Sequence, residues 1–209
     1  MRCMNRWEMT RIVSSPDMEP VLSLEEARLH VRVDAEGSPP THPDDTLIQD
    51  YVQAATNEID GVEGWLGRAL VTQSWRLRLD YFPAWEIRLP LPPLQSVDAI
   101  TYVDGDGVEQ TLATANYRVV TSDSDPGRVE PAYGLSWPAT RAQSGAVAIT
   151  YTCGYGAPAD VPEAIRTYVR LRLGQFYEHR ELVAMGVTVA PVPYLRDSLE
   201  SFRRSVRPV

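Results

Sequence analysis

The chain has 209 residues, 44% of them hydrophobic, and a formal net charge of −8, a composition able to bury a substantial core. No stretch approaches the roughly 18 consecutive apolar residues of a membrane span, and the basic start MRCMNRWEMTRIVSS has no apolar run behind it, so neither membrane insertion nor secretion is expected. Two cysteines, Cys3 and Cys153, are too few and too far apart for a disulfide framework or a metal cluster, which points to production in the cytoplasm.

All 20 basic residues are Arg, a usage that suits bidentate subunit contacts but that a GC-rich genome explains better. Residues 1–160 carry 12 Arg against 23 acids, whereas residues 161–209 carry 8 against 5. An acidic body argues against adhesive binding to nucleic acid, whose phosphates demand a dense positive surface. It suits a solvated surface, or the wall of a channel along which DNA slides.

Residues 1–20 read as a flexible N-terminal extension. Ser23 and Glu26 then have capping-box spacing, and Leu24, Ala27 and Leu29 follow, which predicts a short helix. Gly, Ser and Pro crowd Asp34–Pro43 into a loop. A longer helix is expected from Asp44 or Asp45, with Leu47, Ile48, Tyr51, Val52, Ala55, Ile59, Val62 and Leu66 as its apolar stripe and Gly67 as its C-cap. The period then changes to two. Gln73–Asp80 alternates as a half-buried strand does, and further short strands are predicted at Glu86–Leu89, Val97–Val103, Val108–Leu112, Tyr117–Thr121 and Ala146–Thr152. Asp160 and Glu163 cap a returning helix entered through Pro162, with Ile165, Val169, Leu173 and Phe176 on its buried face.

These elements imply an α+β class: a small helical bundle with an antiparallel β domain inserted between its helices, and a tethered C-terminal helix. The expected divisions are 21–70 (helical), 71–157 (inserted β domain), 158–185 (returning helix) and 186–209 (tether and C-terminal helix). In the last of these, GVTVAPVP reads as an extended tether. Beyond it Leu195, Leu199, Phe202 and Val206 share one face, and Arg196, Arg203, Arg204 and Arg207 make the rest positive. Such a helix either docks in a partner's groove or folds back on its own subunit.

No catalytic residue, metal ligand or cofactor site is read from the sequence. Asp104-Gly105-Asp106-Gly107 begins like a calcium loop, but the later bidentate acid is missing because position 115 is Ala, so a hairpin turn is expected. Cys153-Gly154-Tyr155-Gly156 lacks the flanking membrane helices of an ion filter. His30, His42 and His179 lie in separate segments without an i, i+4 ligand partner, and neither a G-x-S-x-G elbow nor a phosphate-cradling loop is present.

Function rests instead on a resemblance. The run GWLGRALVTQSWRLRLDYFPAWEIRLPLPPLQSVDAITY (Gly64–Tyr102) resembles the head-tail connector, or adaptor, family of long-tailed bacteriophages and gene transfer agents. The resemblance continues through NYRV (Asn116–Val119), GRVEPAYGLSWPATR (Gly127–Arg141), VAITYTCGYG (Val147–Gly156) and VPEAIRTYVRLRLGQFYEHRE (Val161–Glu181), spanning about Leu22 to Glu181. It implies a virion structural protein and not an enzyme, made in the bacterial cytoplasm and built into the head-tail junction. It also implies a dodecameric ring under the portal protein, extending the channel through which double-stranded DNA passes without sequence-specific binding, with no membrane contact.

A tail-completion or tail-terminator protein would be the partner on the other side. The C-terminal segments of connectors engage the portal, which assigns portal contact here to Tyr194, Leu195, Leu199, Phe202, Arg203, Arg204, Val206 and Arg207. Two other readings remain: a tail-completion or tail-terminator ring protein, and a small phage-encoded hydrolase or nuclease.

Overall fold

The computed structural model describes residues 7–12, 19–122, 125–179 and 197–204. Its helical part is built from α1 (Leu24–Val31), α2 (Asp45–Asn57) and α3 (Glu163–Glu178). The Ser23 side chain accepts from the Glu26 N–H at 3.2 Å, and the Glu26 carboxylate accepts from the Ser23 N–H at 3.0 Å, so the capping box closes as its spacing predicts. Ile48, Val52 and Ala55 of α2 face Ile165, Val169 and Leu173 of α3 in one hydrophobic cluster with Ala27 of α1.

Polar ties fix the angles between these helices. Arg172 grips both Glu58 oxygens at 2.6–3.0 Å, Tyr168 donates to Glu58 at 2.9 Å, and Tyr177 donates to Asp44 at 2.7 Å. Arg28 Nε donates to Asp45 at 2.7 Å, joining α1 to the start of α2.

α2 ends at Asn57, not near Leu66 as the stripe suggested. Gly61 has φ +79, a left-handed conformation, and a Cβ on Gly64 would lie 2.3 Å from the Asp60 carbonyl oxygen, so the chain coils tightly there. Ile59 and Leu66 are still buried, but from a turn, and Gly67 closes no helix. Asp160 is likewise reassigned. Its carboxylate accepts from the Ala157 N–H at 3.0 Å and caps a 3-10 turn, while α3 starts after Pro162 with no side-chain cap.

The β part has a five-stranded antiparallel sheet in the order β1 (Trp7–Ile12), β2 (Gln73–Leu79), β8 (Val147–Cys153), β4 (Leu94–Val103), β5 (Glu109–Thr111). A second sheet runs β3 (Ile87–Leu89), β7 (Gly127–Pro131), β6 (Tyr117–Val120). Trp75, Leu77 and Leu79 of β2 bury with Ile149 and Tyr151 of β8 and with Ile87, Leu89 and Val129 of the second sheet. The class is α+β, as read from the sequence.

Two strands were not anticipated. β7 lies in the GRVEP phrase, and β1 forms in the extension expected to be flexible, pairing in regular register with β2 from Trp7↔Leu79 to Ile12↔Ser74. The Asp104 turn does join β4 to β5: its carboxylate accepts from the N–H groups of Asp106 and Val108, both at 3.0 Å, and from Gln110 at 2.9 Å.

The chain leaves the helices and returns to them side by side. Thr72 N–H donates to the Gly156 carbonyl and Tyr155 N–H to the Leu70 carbonyl, each at 2.9 Å. Adjacent entry and exit let α2 and α3 pack across a long insertion, which needs no long crossover. No helix among the described residues is long and apolar enough to cross a membrane.

Candidate functional site

The basic C-terminal strip can be followed from Asp197 to Arg204. It holds a 3-10 turn at Glu200–Phe202 and lies on this chain's own helical core, while the start of the expected amphipathic helix, before Asp197, lies outside the described residues. Leu199 is fully buried there and Phe202 packs partly buried beside it. The backbone is held as well: Arg68 Nε donates to the Phe202 carbonyl, and Arg204 N–H donates to the Leu66 carbonyl at 2.8 Å.

Arg203 stands 5.0 Å from the Trp65 ring, and Arg68 stands 5.9 Å from the Tyr155 ring. Burial lowers the pKa of the Arg68 guanidinium and raises that of the Tyr155 hydroxyl. Arg204 Nε also lies 3.7 Å from Asp125 on the turn between β6 and β7, so the strip ties the helical part to the β part.

Of the expected docking segment, the part from Asp197 to Arg204 is seen on its own subunit. The structure brings Leu199, Phe202, Arg203 and Arg204 together, with the two apolar residues directed into the chain's own core. Tyr194, Leu195, Val206 and Arg207 lie outside the described residues, as does the tether. The seat of Trp65, Leu66 and Arg68 was missed because the helical period seemed to absorb Leu66. A Trp and an Arg three apart, each directly following a glycine (Gly64 and Gly67) past the end of a helix, were the available signal.

A second constellation is sealed. Asp60 accepts from the Leu70 N–H at 2.8 Å, from Gln73 Nε2 at 3.0 Å and from Arg11 at 3.0 Å. Gln73 in turn accepts from the Trp75 indole at 2.9 Å and from Arg11. Burial raises the Asp60 pKa against these donors. With only 3% of its side chain exposed, Asp60 offers a substrate no approach; the cluster latches β1 to the junction between helices and sheets.

Cys153 is equally closed, its thiol pushed far up by burial and so a poor nucleophile. His42 Nδ1 accepts from the Asp44 N–H at 3.1 Å, and His30 packs beside Gly174 with its pKa lowered by burial. Among the described residues no three His, Cys, Asp or Glu side chains are grouped to hold a metal.

No family model matches the chain, and no curated protein does. Solved particle structures do. A chain in the neck of an empty gene transfer agent particle, determined with C6 symmetry, is 27% identical with a TM-score of 0.74, covering 97% of this chain and 97% of that one. The neck of the native particle, determined with C12 symmetry, gives 27% identity and 0.71 over 97% of each chain. The virion of the native gene transfer agent gives 28% identity and 0.69 over 96% of this chain and 97% of that one. From end to end, then, the chain is similar in fold and sequence to proteins of the gene transfer agent neck, and its resemblance to the head-tail connectors extends to its tertiary structure.

Proposed function

We propose that this chain is a head-tail connector: a structural protein of a virion or gene transfer agent particle that sits between portal and tail. The observation that carries the reading is the match to neck chains over nearly the whole of both partners. Those necks were determined with cyclic symmetry, which supports a ring, and a ring turns many weak subunit contacts into one stable collar. Twelve copies would surround the DNA path beneath the portal, and the acidic body would let DNA slide past without adhesion. A tail-completion or tail-terminator protein would bind the other face.

In this reading the C-terminal end makes the portal contact. Leu199 and Phe202 anchor the strip to its own subunit and present the exposed Arg203, together with Tyr194, Leu195, Val206 and Arg207, to the portal; Arg204 braces the strip against Asp125. Cosedimentation with purified portal rings and, separately, with tail tubes tests the proposal. Binding to portal rings is expected. Binding to tail tubes alone would instead support a tail-terminator. Metal-dependent cleavage of DNA by the pure protein would replace both readings with an enzyme.

A further inference from the structure

β1 and the C-terminal strip, from opposite ends of the described residues, meet on one loop. Residues 60–70, between α2 and β2, close on themselves at a neck tied by Asp60. Its carboxylate accepts from the Leu70 N–H at 2.8 Å, and beside it the Gly61 N–H donates to the Arg68 carbonyl at 2.7 Å. The loop itself is the seat of the strip, through the Leu66 carbonyl, the Arg68 guanidinium and the Trp65 ring. The neck is where β1 attaches, through the ion pair from Arg11 to Asp60.

The strand is lightly held. No residue of β1 is fully buried; Trp7 is 39% exposed and Met9 only partly covered. Arg11 Nε is buried with no hydrogen-bond partner among the described residues, a cost that undocking removes. An edge strand with so little apolar burial belongs to the low end of the stability range. Asp60 is placed differently. With 3% of its side chain exposed, it would keep a buried charge facing only the Leu70 N–H and the Gln73 amide once Arg11 had left. Turning the carboxylate out to water relieves that charge, and it strips the Leu70 N–H of its acceptor and opens the neck.

We propose that β1 is a strap that gates the C-terminal strip. Docked on β2, it brings Arg11 to Asp60, holds the neck of the 60–70 loop closed and keeps the strip seated on Trp65, Leu66 and Arg68. Detached, it lets the neck open and the seat loosen, which frees the strip. The element with two states is the strand, paired or unpaired with β2, and the loop carries the effect because both segments bind it. Linkage makes the coupling mutual: detachment of β1 favours release of the strip by the same factor as release of the strip favours detachment of β1. That the gate bears on portal contact rests on the connector reading; the coupling itself does not.

Amide exchange on the full chain tests the gate. Arg204, whose N–H bonds the Leu66 carbonyl, reports the strip, and Ile149, fully buried in the central strand β8, reports global opening. Arg11→Met keeps the apolar length of the side chain and removes its charge. It should speed exchange at Arg204 by at least about tenfold, with a much smaller change at Ile149. In an Asp60→Asn background no buried charge needs Arg11, so the same substitution should change exchange at Arg204 by less than about threefold. Leu199→Ala, which loosens the strip from the other side, should speed exchange of the β1 amides bonded to β2.

Unchanged exchange at Arg204 in Arg11→Met, or equal acceleration at Arg204 and Ile149, would overturn the proposal. An undiminished effect in the Asp60→Asn background would overturn it too, as would β1 amides untouched by Leu199→Ala. Circular dichroism checks that each variant folds, and Arg11→Met with Leu199→Ala decides the case should Asp60→Asn not fold. No portal or tail protein enters these measurements, so failure here leaves the connector reading standing, and failure to bind portal would leave this one standing.

Discussion

Leu199→Ala tests whether the C-terminal strip is part of this chain's own core. Leu199 is fully buried in the cluster that includes Leu66, Ile48 and Leu173, so the substitution removes apolar contact and opens a cavity. Leu→Ala changes in cores cost about 2–5 kcal/mol. The strip is held by one buried Leu, a partly buried Phe and hydrogen bonds to Leu66 and Arg68, so it relaxes more easily than a central helix. That puts the expected loss at the lower end, about 2–3 kcal/mol, or a fall in Tm of about 5–10 °C for a chain of this size.

Urea unfolding followed by circular dichroism gives the first number. Amide exchange at Arg204, whose N–H bonds the Leu66 carbonyl, reports whether the strip stays attached. Arg203→Ala is the control: its side chain is 52% exposed, and the contact with Trp65 is worth no more than about 1 kcal/mol. An unchanged unfolding midpoint for Leu199→Ala, with the Arg204 amide already unprotected in the parent chain, would refute burial of the strip and return these side chains to a partner.

Two carboxylates should shape stability against pH in opposite directions. The hydrogen bond from Arg28 holds Asp45 below its ordinary pKa, so its contribution is present above the unfolded value and is lost as pH falls through the depressed one. Burial holds Asp60 above its ordinary pKa, so its contribution is present at low pH and is lost as pH rises through the raised value. Asp45→Asn should flatten the acid limb of urea midpoints taken between about pH 2 and pH 7, and an acid limb as steep as the parent's would count against the Arg28 pairing. Gly154→Ala should destabilise by about 2 kcal/mol or more, because φ is +120 and a Cβ would meet the Val71 carbonyl oxygen at 2.2 Å; Gly105→Ala, where nothing lies within 4 Å, should leave Tm nearly unchanged.

Local patterns carried much of the architecture. The Ser23–Glu26 box, the alternation of Trp75, Leu77 and Leu79, and the Asp104–Gly107 turn depend on neighbours within a few residues, so their outcomes could be read from spacing alone. The end of α2 could not. Ile59 and Leu66 keep helical spacing because both face the same core, while the glycines at 61 and 64 let the backbone turn back on Asp60.

β1 was hidden for a related reason. Its six residues lack a clean alternation, and it is held by its ladder to β2 and by an ion pair from Arg11 to Asp60, 49 residues away. The apolar stripe at Leu199 and Phe202 was legible, but its destination was not. A period states that a face will be buried. Whether the covering surface comes from a partner or from Leu66 and its neighbours depends on where α2, α3 and the β6–β7 turn meet in space, and only the tertiary structure brings those segments together.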